Sequence, residues 1–512
     1  MYGRVVGVTV LGVGGYPLTV EAFVGRGLPS FTLTGLPGAA VADARDRIRP
    51  AVEHAGLEWP LRRVVVNLAP GNLRKEGAGL DLPIAAAVLV ATAQVPEPAV
   101  DGWALAGELS LKGEVLSTPG ILSVAIAAAR AGLRGVVVPA ANALEASQID
   151  GLQVVGAGSL ADVARFLRGT WEPPPPEERS PDATSASDVD LAEIRGQAQA
   201  RRALEVAAAG GHNLLMVGSP GAGKTMLARR LATILPGLTR EEALESSQLH
   251  SVAGLLSGKG LLQTRPFRAP HHTVSTAGLL GGGSVVLRPG EASLAHHGVL
   301  FLDEFTEFRR DAVEALRQPL EDGRIVLTRS TGSAEFPARF TLVAAANPCP
   351  CGYHGDPIRH CPCPEHRRLQ YRQKLSGPLL DRIDLRLRVP RLTKQELMGS
   401  EGGEASAKVR DRVQQARERQ RSRYAGIGVL CNGHLSGPAA RREARLAPEG
   451  EDLLSRAVES MALTGRGFDR ALKVARTVAD LEGHDTILAV HMAEALSYRT
   501  GFEDEEAMAR AG

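Results

Sequence analysis

The sequence predicts an α/β chain of several units, and three observations carry that prediction. Over residues 1–170, short β-rich runs (Val5–Val10, Leu18–Val24, Val64–Asn67, Val136–Val138) alternate with Ala-rich helical stretches (Ala39–Ala55, Ile84–Ala93, Ile121–Ala131). The alternation resumes with a helical run, Leu191–Ala209, then the apolar strand Leu214–Val217, and continues to about Val389. From Thr393 to Gly512 the pattern is almost entirely helical. Between the first two regions, Trp171–Asp190 holds consecutive prolines from Pro173 to Pro176 followed by Glu, Ser, Asp and Thr. So little apolar surface cannot offset the cost of ordering, and the stretch reads as a semi-rigid linker. The expected division is therefore 1–170, a linker at 171–190, a core at 191–392 and a helical unit at 393–512.

Composition bounds the class. A chain of 512 residues suggests three or four units, and 44% hydrophobic with 23% charged residues excludes collagen-like or wholly disordered chains. Lys plus Arg number 59 against 57 Asp plus Glu, so any basic surface must be local. Leu82–Ala93 and Ile121–Ala129 fall short of the roughly 20 apolar residues a membrane-spanning helix needs. The Gly-broken run Val5–Val13 lacks a small-residue cleavage site and reads as a strand, not a signal peptide, so the protein is expected in the cytoplasm. Of five cysteines, Cys349, Cys351, Cys361 and Cys363 crowd together, which points to metal or redox chemistry; Cys431 stands alone and reads as structural.

The strongest motif is Gly218-Ser219-Pro220-Gly221-Ala222-Gly223-Lys224-Thr225, which fits G-x-x-x-x-G-K-S/T between an apolar strand and a helical run, Met226–Leu235. Its glycines let backbone N–H groups close on phosphates, Lys224 offers a point charge to the β/γ oxygens, and the Thr225 hydroxyl suits Mg²⁺. A second strand, Gly298–Leu302, ends in Asp303-Glu304: Asp303 is the metal-side acid and Glu304 the candidate base for an attacking water. A third, Phe340–Ala346, ends at Asn347, whose amide has two readings, orienting that water or capping the turn before Pro348. Together these residues point to hydrolysis of a nucleoside triphosphate with Mg²⁺. The paired C-x-C motifs of the cysteine cluster suit a structural Zn²⁺ holding a Gly- and Pro-rich loop at 349–363, with His354, His360 or His366 able to replace a sulfur.

From Leu191 onward the chain resembles AAA+ ATPases of the magnesium-chelatase type. The residues that carry this are Arg265–Thr273, Gly281-Gly282-Gly283, Pro289-Gly290-Glu291 and Ala295-His296 ahead of the Asp-Glu strand. With Asn67–Pro70, Arg74–Gly77 and Asp81–Ile84, the whole chain resembles the ComM/YifB family, whose characterised ComM members are hexameric DNA helicases promoting branch migration in natural transformation. That resemblance implies a homo-oligomeric ring, with ATP between subunits and DNA, single-stranded or branched, as partner. It makes Arg382, in Gly377–Asp384, an arginine finger acting in trans, and Arg466, in Thr464–Gly467, a sensor-2 arginine, with Arg470 one turn on. It makes Gln263–Ser293 a helix-2 insert and Arg324–Phe340 a hairpin (Ile325–Leu327 and Phe336–Leu342 around a Ser330–Ser333 turn) directed at the pore. Arg265, Arg268, His271, His272 and Arg329 are then candidate DNA contacts, each with a structural reading equally open.

Residues 1–170 resemble the Lon-protease-like fold related to ribosomal protein S5 domain 2, through Ala106–Val115, Pro119-Gly120 and Gly135–Pro139. The serine-bearing Lon segment is replaced by Gly77-Ala78-Gly79-Leu80-Asp81 and the lysine-bearing one by Ile121-Leu122-Ser123, so peptidase activity is not expected. The basic run at 408–423 reads as a solvated helical face. Two other functions share these signatures: the ATPase subunit of a metal chelatase, and a MoxR-like protein-remodelling chaperone.

Overall fold

The computed structural model describes residues 1–175, 189–256, 258–283, 286–329, 332–374, 377–394, 396 and 402–499. Most of the expected linker, the start of the Ser330–Ser333 turn and the chain past 499 lie outside the described residues.

The first part of the chain forms a seven-stranded mixed sheet. Its order is Ser30–Thr34, Arg63–Ala69, Gly14–Gly25, Tyr2–Leu11, Trp103–Leu105, Gly135–Pro139, Gln153–Ala157. Alternation along the strands sends Val5, Leu105 and Val137 to one core and Val8, Ala104 and Val136 to the other, so both faces are covered. The helix Asp81–Ala91 is buried at every position, which is why its sequence shows no amphipathic period. The expected helix Ala39–Ala55 is two pieces, Ala39–Ala42 and Ala44–His54.

A second sheet is wholly parallel, ordered Phe267–Arg268, Val299–Leu302, Thr341–Ala346, Leu214–Val217, Leu385–Arg388. Its three inner strands are runs of apolar residues without alternation because both faces of the sheet are covered. The stretch expected as an insert begins inside this sheet: Phe267–Arg268 pairs with Val299–Leu300 as its edge strand. The helical run expected at Leu191–Ala209 is broken at Gly196 and Gln197, both at positive φ, and the helix proper is Ala198–Gly210.

The helices of 406–498 share one apolar cluster with this sheet, through Val413, Ala416, Val478 and Leu496 against Leu204, Leu214 and Leu385. The basic helix Ser406–Arg423 keeps Lys408, Arg410 and Arg421 exposed, as a solvated face would, but ties other arginines into the fold. Arg412 pairs with Glu205 (2.6 Å) and Glu404, Arg417 donates to the Ala208 carbonyl (2.9 Å), and Arg423 pairs with Asp480, whose side chain is fully buried. The last-turn carbonyl of Ala208 and the carboxylates of Glu205, Glu404 and Asp480 take up these charges.

The two sheets' units meet along the helices Ile121–Arg130 and Arg240–Val252. Gly120 N–H donates to Ser251 O (2.9 Å), and Ser123 Oγ and Gln248 Nε2 both donate to Val13 O. The hairpin Arg324–Arg329/Gly332–Pro337 lays Phe336 and Ala334 on Leu249 and Val13, so its apolar face is spent on this contact. Glu145 stands at the same junction, its Oε1 accepting from Asn142 Nδ2 (2.6 Å). Burial pushes its carboxyl up to about 7, against the hydrogen bonds from Asn142 and Ser251. The unfolded chain ionises this group near 4.5, so folding stability declines as pH climbs from about 4.5 to about 7. Glu145→Gln should remove that decline, moving unfolding free energy in the variant's favour by about 3 kcal/mol between pH 4.5 and 8. Urea titrations across the range test this; an unchanged pH dependence in the variant contradicts it.

Candidate nucleotide-binding and catalytic site

The phosphate loop leaves the carboxyl end of a strand inside the parallel sheet, where such folds bind ligands, and runs into the helix Lys224–Ile234. Gly221 and Gly223 adopt φ of 79° and 91°, which keep the loop tight and its N–H groups turned inward. Lys224 is 9% exposed, and its Nζ donates to Gly218 O (2.6 Å), Ser219 O (3.1 Å) and Asn347 Oδ1 (3.2 Å). Burial lowers its pKa, with Asp303 and Glu304 working the other way. Asn347 therefore reaches into the loop instead of folding back over Pro348.

Thr225 Oγ1 donates to Asp303 Oδ2 at 2.6 Å, which brings together the hydroxyl and the carboxylate expected at Mg²⁺. The pair borders a cavity of about 440 Å³ lined by the phosphate loop, Asp303, Glu304 and Asn347, and a hard, oxygen-seeking cation fits that donor set. Glu304 has φ of 50°, a strained value for a residue with a Cβ, and its carboxylate is 57% exposed. Glu304 also borders an adjoining cavity of about 300 Å³, shared with Arg229, His271 and His272.

The structure redistributes the residues expected to touch DNA. His272 Nδ1 lies 3.3 Å from Glu304 Oε2, and its ring stands 4.1 Å from that of His271, so both belong to the adjoining cavity beside Glu304. Arg265 is a buried clamp, donating to Pro236 O, Gly237 O and His297 O and pairing with Glu242 at 2.7 Å. Arg268 forms a two-pronged pair with Glu291. Both guanidinium groups have partners within the fold, in line with the structural one of the two readings open for them. Arg329 remains exposed at the hairpin end. Arg229 and the Glu304–His272 contact escaped the sequence reading; no motif flags either, since each depends on the sheet bringing 225–229, 269–272 and 301–304 together.

The two arginines expected at a γ-phosphate lie elsewhere in their own chain. Arg382 pairs with Glu321 and donates to Pro378 O (2.6 Å), holding the Glu321 carboxyl below its usual range. Arg466 Nη2 lies 3.6 Å from the other oxygen of Glu321 and is 58% exposed. Arg470 is distinct, facing Asp384 at 3.7 Å. Neither Arg382 nor Arg466 lines the two cavities.

Beyond Asn347, the sulfur atoms of Cys349, Cys351, Cys361 and Cys363 lie within 4.8 Å of one another, with three pairs at 3.4–3.6 Å. In the first unit, Asp81 is buried against Arg47 at 2.8 Å and Ser123 is held on Val13 O, so both side chains have structural partners.

A central parallel sheet with a phosphate loop and an Asp-Glu strand end defines a P-loop nucleotide hydrolase, and comparison with known proteins gives its kind. The family model for magnesium chelatase, subunit ChlI, matches residues 190–397; further models of ChlI match 20–142 and of its C-terminal part 403–499. An uncharacterized protein of Mycobacterium tuberculosis is 46% identical over 97% of this chain and 98% of its own length. YifB of Escherichia coli is 44% identical over 96% of this chain and 95% of its own. Competence protein ComM of Haemophilus influenzae is 41% identical over 96% of each. A Lon protease of Geobacter metallireducens is 30% identical over 36% of this chain and 24% of its own. The chain belongs to the ComM/YifB family of magnesium-chelatase-like AAA+ ATPases. Among the described residues, no helix is long and apolar enough to cross a membrane.

Two substitutions separate binding from chemistry here. Lys224→Ala should abolish both ATP binding and turnover, whereas Glu304→Gln should bind a fluorescent ATP analogue normally and lose at least about 100-fold in turnover. Hydrolysis at the wild-type rate by Glu304→Gln contradicts its assignment as the base.

Proposed function

We propose that the protein is an ATP-driven ring motor acting on DNA, a hexameric branch-migration helicase or translocase of the cytoplasm serving recombination or natural transformation. One observation carries the reading: Arg382 and Arg466 share Glu321, outside the cavities that hold Lys224, Asp303 and Glu304. A site with its base and its phosphate loop but without its arginines is half a site. A ring completes it, because Arg382 of one protomer, once released from Glu321, can be presented to the cavity of the next.

In that arrangement Lys224 and the loop N–H groups of 218–225 hold the phosphates, while Thr225 and Asp303 hold Mg²⁺, which neutralises charge on the phosphate oxygens. Asn347 orients a water whose oxygen attacks the γ-phosphorus as Glu304 takes its proton; the bond to the β-phosphate oxygen breaks and ADP leaves. Arg382, and Arg466 beside it, stabilise the charge that spreads over the transferred group, an effect worth about 10³–10⁵ in rate in related enzymes. Residues 1–170 serve as an S5 domain 2-like docking module and 393–512 as the helical lid. Arg329 offers phosphate neutralisation to a strand in the pore, and a structural Zn²⁺ in the four-cysteine loop is the remaining cofactor.

Two measurements test this. Arg382→Ala and Lys224→Ala proteins should each be inactive, yet mixing them should restore part of the ATP turnover, because some interfaces then pair an intact loop with an intact arginine. Mixtures no more active than their components contradict the shared site. Single-stranded or forked DNA should raise turnover several-fold at about 50 mM salt and much less at about 200 mM. Turnover indifferent to DNA contradicts the DNA reading and favours a remodelling or chelatase role.

A further inference from the structure

Residues 348–364 form a loop rich in Gly, Pro and polar side chains, in which Cys349 is buried and Ile358, its one large aliphatic side chain, is 72% exposed. It cannot hold its shape by burying apolar surface. What gathers it is the four-sulfur cluster, with separations of 3.4–3.6 Å for three pairs. Four thiolates around one tetrahedral ion at about 2.3 Å stand about 3.8 Å apart, so the cluster is close to the size that a soft divalent metal requires.

Two other groups of metal-binding side chains fail on their protonation. His296 Nδ1 accepts from the Arg339 N–H (2.9 Å) and His491 Nδ1 from the Leu488 N–H (3.0 Å). Each neutral ring has one lone pair and spends it there, so the other nitrogen carries hydrogen and donates to Glu245 or Glu482. The cysteine sulfurs also meet backbone N–H groups, those of His354 and Gly352 at Cys349, but a thiolate keeps further lone pairs for a metal.

The loop is also pinned to the nucleotide site at several points. Cys349 follows Asn347, the Lys224 partner, by two residues. Gly352, at φ of 83°, packs on Pro220 of the phosphate loop so closely that a Cβ would stand 2.7 Å from its ring. The Asp356 side chain is fully shielded; N–H groups of Arg359 and Ile358, and then the Ser219 hydroxyl of the phosphate loop, hold its carboxyl below the usual range. Gly355 lies under the Arg388 guanidinium on the neighbouring strand. Past the last cysteine, Tyr371 hydrogen-bonds Thr306, two residues beyond Glu304.

We propose that Cys349, Cys351, Cys361 and Cys363 bind one soft divalent ion of the zinc type that braces the phosphate loop, so that ATP binding by this chain depends on the metal. The proposal rests on the reading of residues 218–225 as the ATP site and adds a second requirement to it. With the ion in place the loop presses Gly352 on Pro220 and Asp356 on Ser219, keeping the N–H cradle formed before phosphate arrives. Without it the segment joins the least stable part of the fold, and the cradle must be ordered anew at each binding event.

The test uses the full-length protein purified without chelator, with metal content read by elemental analysis and nucleotide affinity by a fluorescent ATP analogue. One metal per chain is expected. Chelation under denaturant-free conditions should weaken analogue binding at least tenfold, and added Zn²⁺ should restore it. Cys361→Ser/Cys363→Ser should lose both metal and affinity. Asp356→Ala, which spares every sulfur, should keep the metal and still lose affinity several-fold. Metal-free protein that binds the analogue as tightly as the wild type overturns the brace. Four titratable thiols that take up no added Zn²⁺ overturn the metal site. Metal at one per chain in a wild type with no affinity for the analogue overturns the ATP reading, and the brace with it, while the metal site stands.

Discussion

The ammonium of Lys224 sits almost entirely out of water with three neutral oxygens as its partners: two loop carbonyls and the Asn347 amide oxygen. Its nearest opposite charges, Asp303 and Glu304, act at longer range and do not overcome the burial that lowers its pKa. A cation so desolvated and so incompletely compensated is stabilised by an anion delivered from outside. The tight glycine turns, the inward N–H groups and the Thr225–Asp303 pair all serve that arrival. Phosphate brings the charge that Lys224 lacks, and a dication at Thr225 and Asp303 brings the charge that phosphate then needs balanced.

The same logic of incomplete partners extends to the edge of the protomer. Glu321 receives two guanidinium groups, one from the segment before the last strand and one from the C-terminal helices. One carboxylate shared by two arginines is a holding position that a triphosphate can outcompete. The C-terminal helices also share the apolar cluster of the sheet, and their basic strap ties Arg412, Arg417 and Arg423 to fixed acceptors. In the proposed ring, movement of those helices would carry Arg466 and so couple ATP occupancy to helix position.

Much of this was legible in the sequence because it is written in local pattern. The phosphate loop, the Asp-Glu strand end and Asn347 are each contiguous with a short apolar strand, and the parallel sheet brings them together as their spacing implied. What was not legible depends on how distant segments approach. His271 and His272 look like free basic groups in a polar insert, yet the edge strand Phe267–Arg268 carries them to Glu304. Arg265 looks equally free until the loop at 236–237 closes over it. The charged helix at 408–423 has the composition of a solvated face, and only the helix ends packed beside it make it a strap. Family resemblance supplied only the roles expected of Arg382 and Arg466, and their meeting at Glu321 is a tertiary fact.

The claim on which the functional account turns is that no protomer hydrolyses ATP alone. It is tested most directly by ATP turnover per chain measured against protein concentration, with oligomeric state followed by sedimentation over the same range. The account predicts that turnover per chain collapses as rings dissociate and recovers on concentration. Constant turnover per chain down to dilutions where only monomer sediments would contradict it.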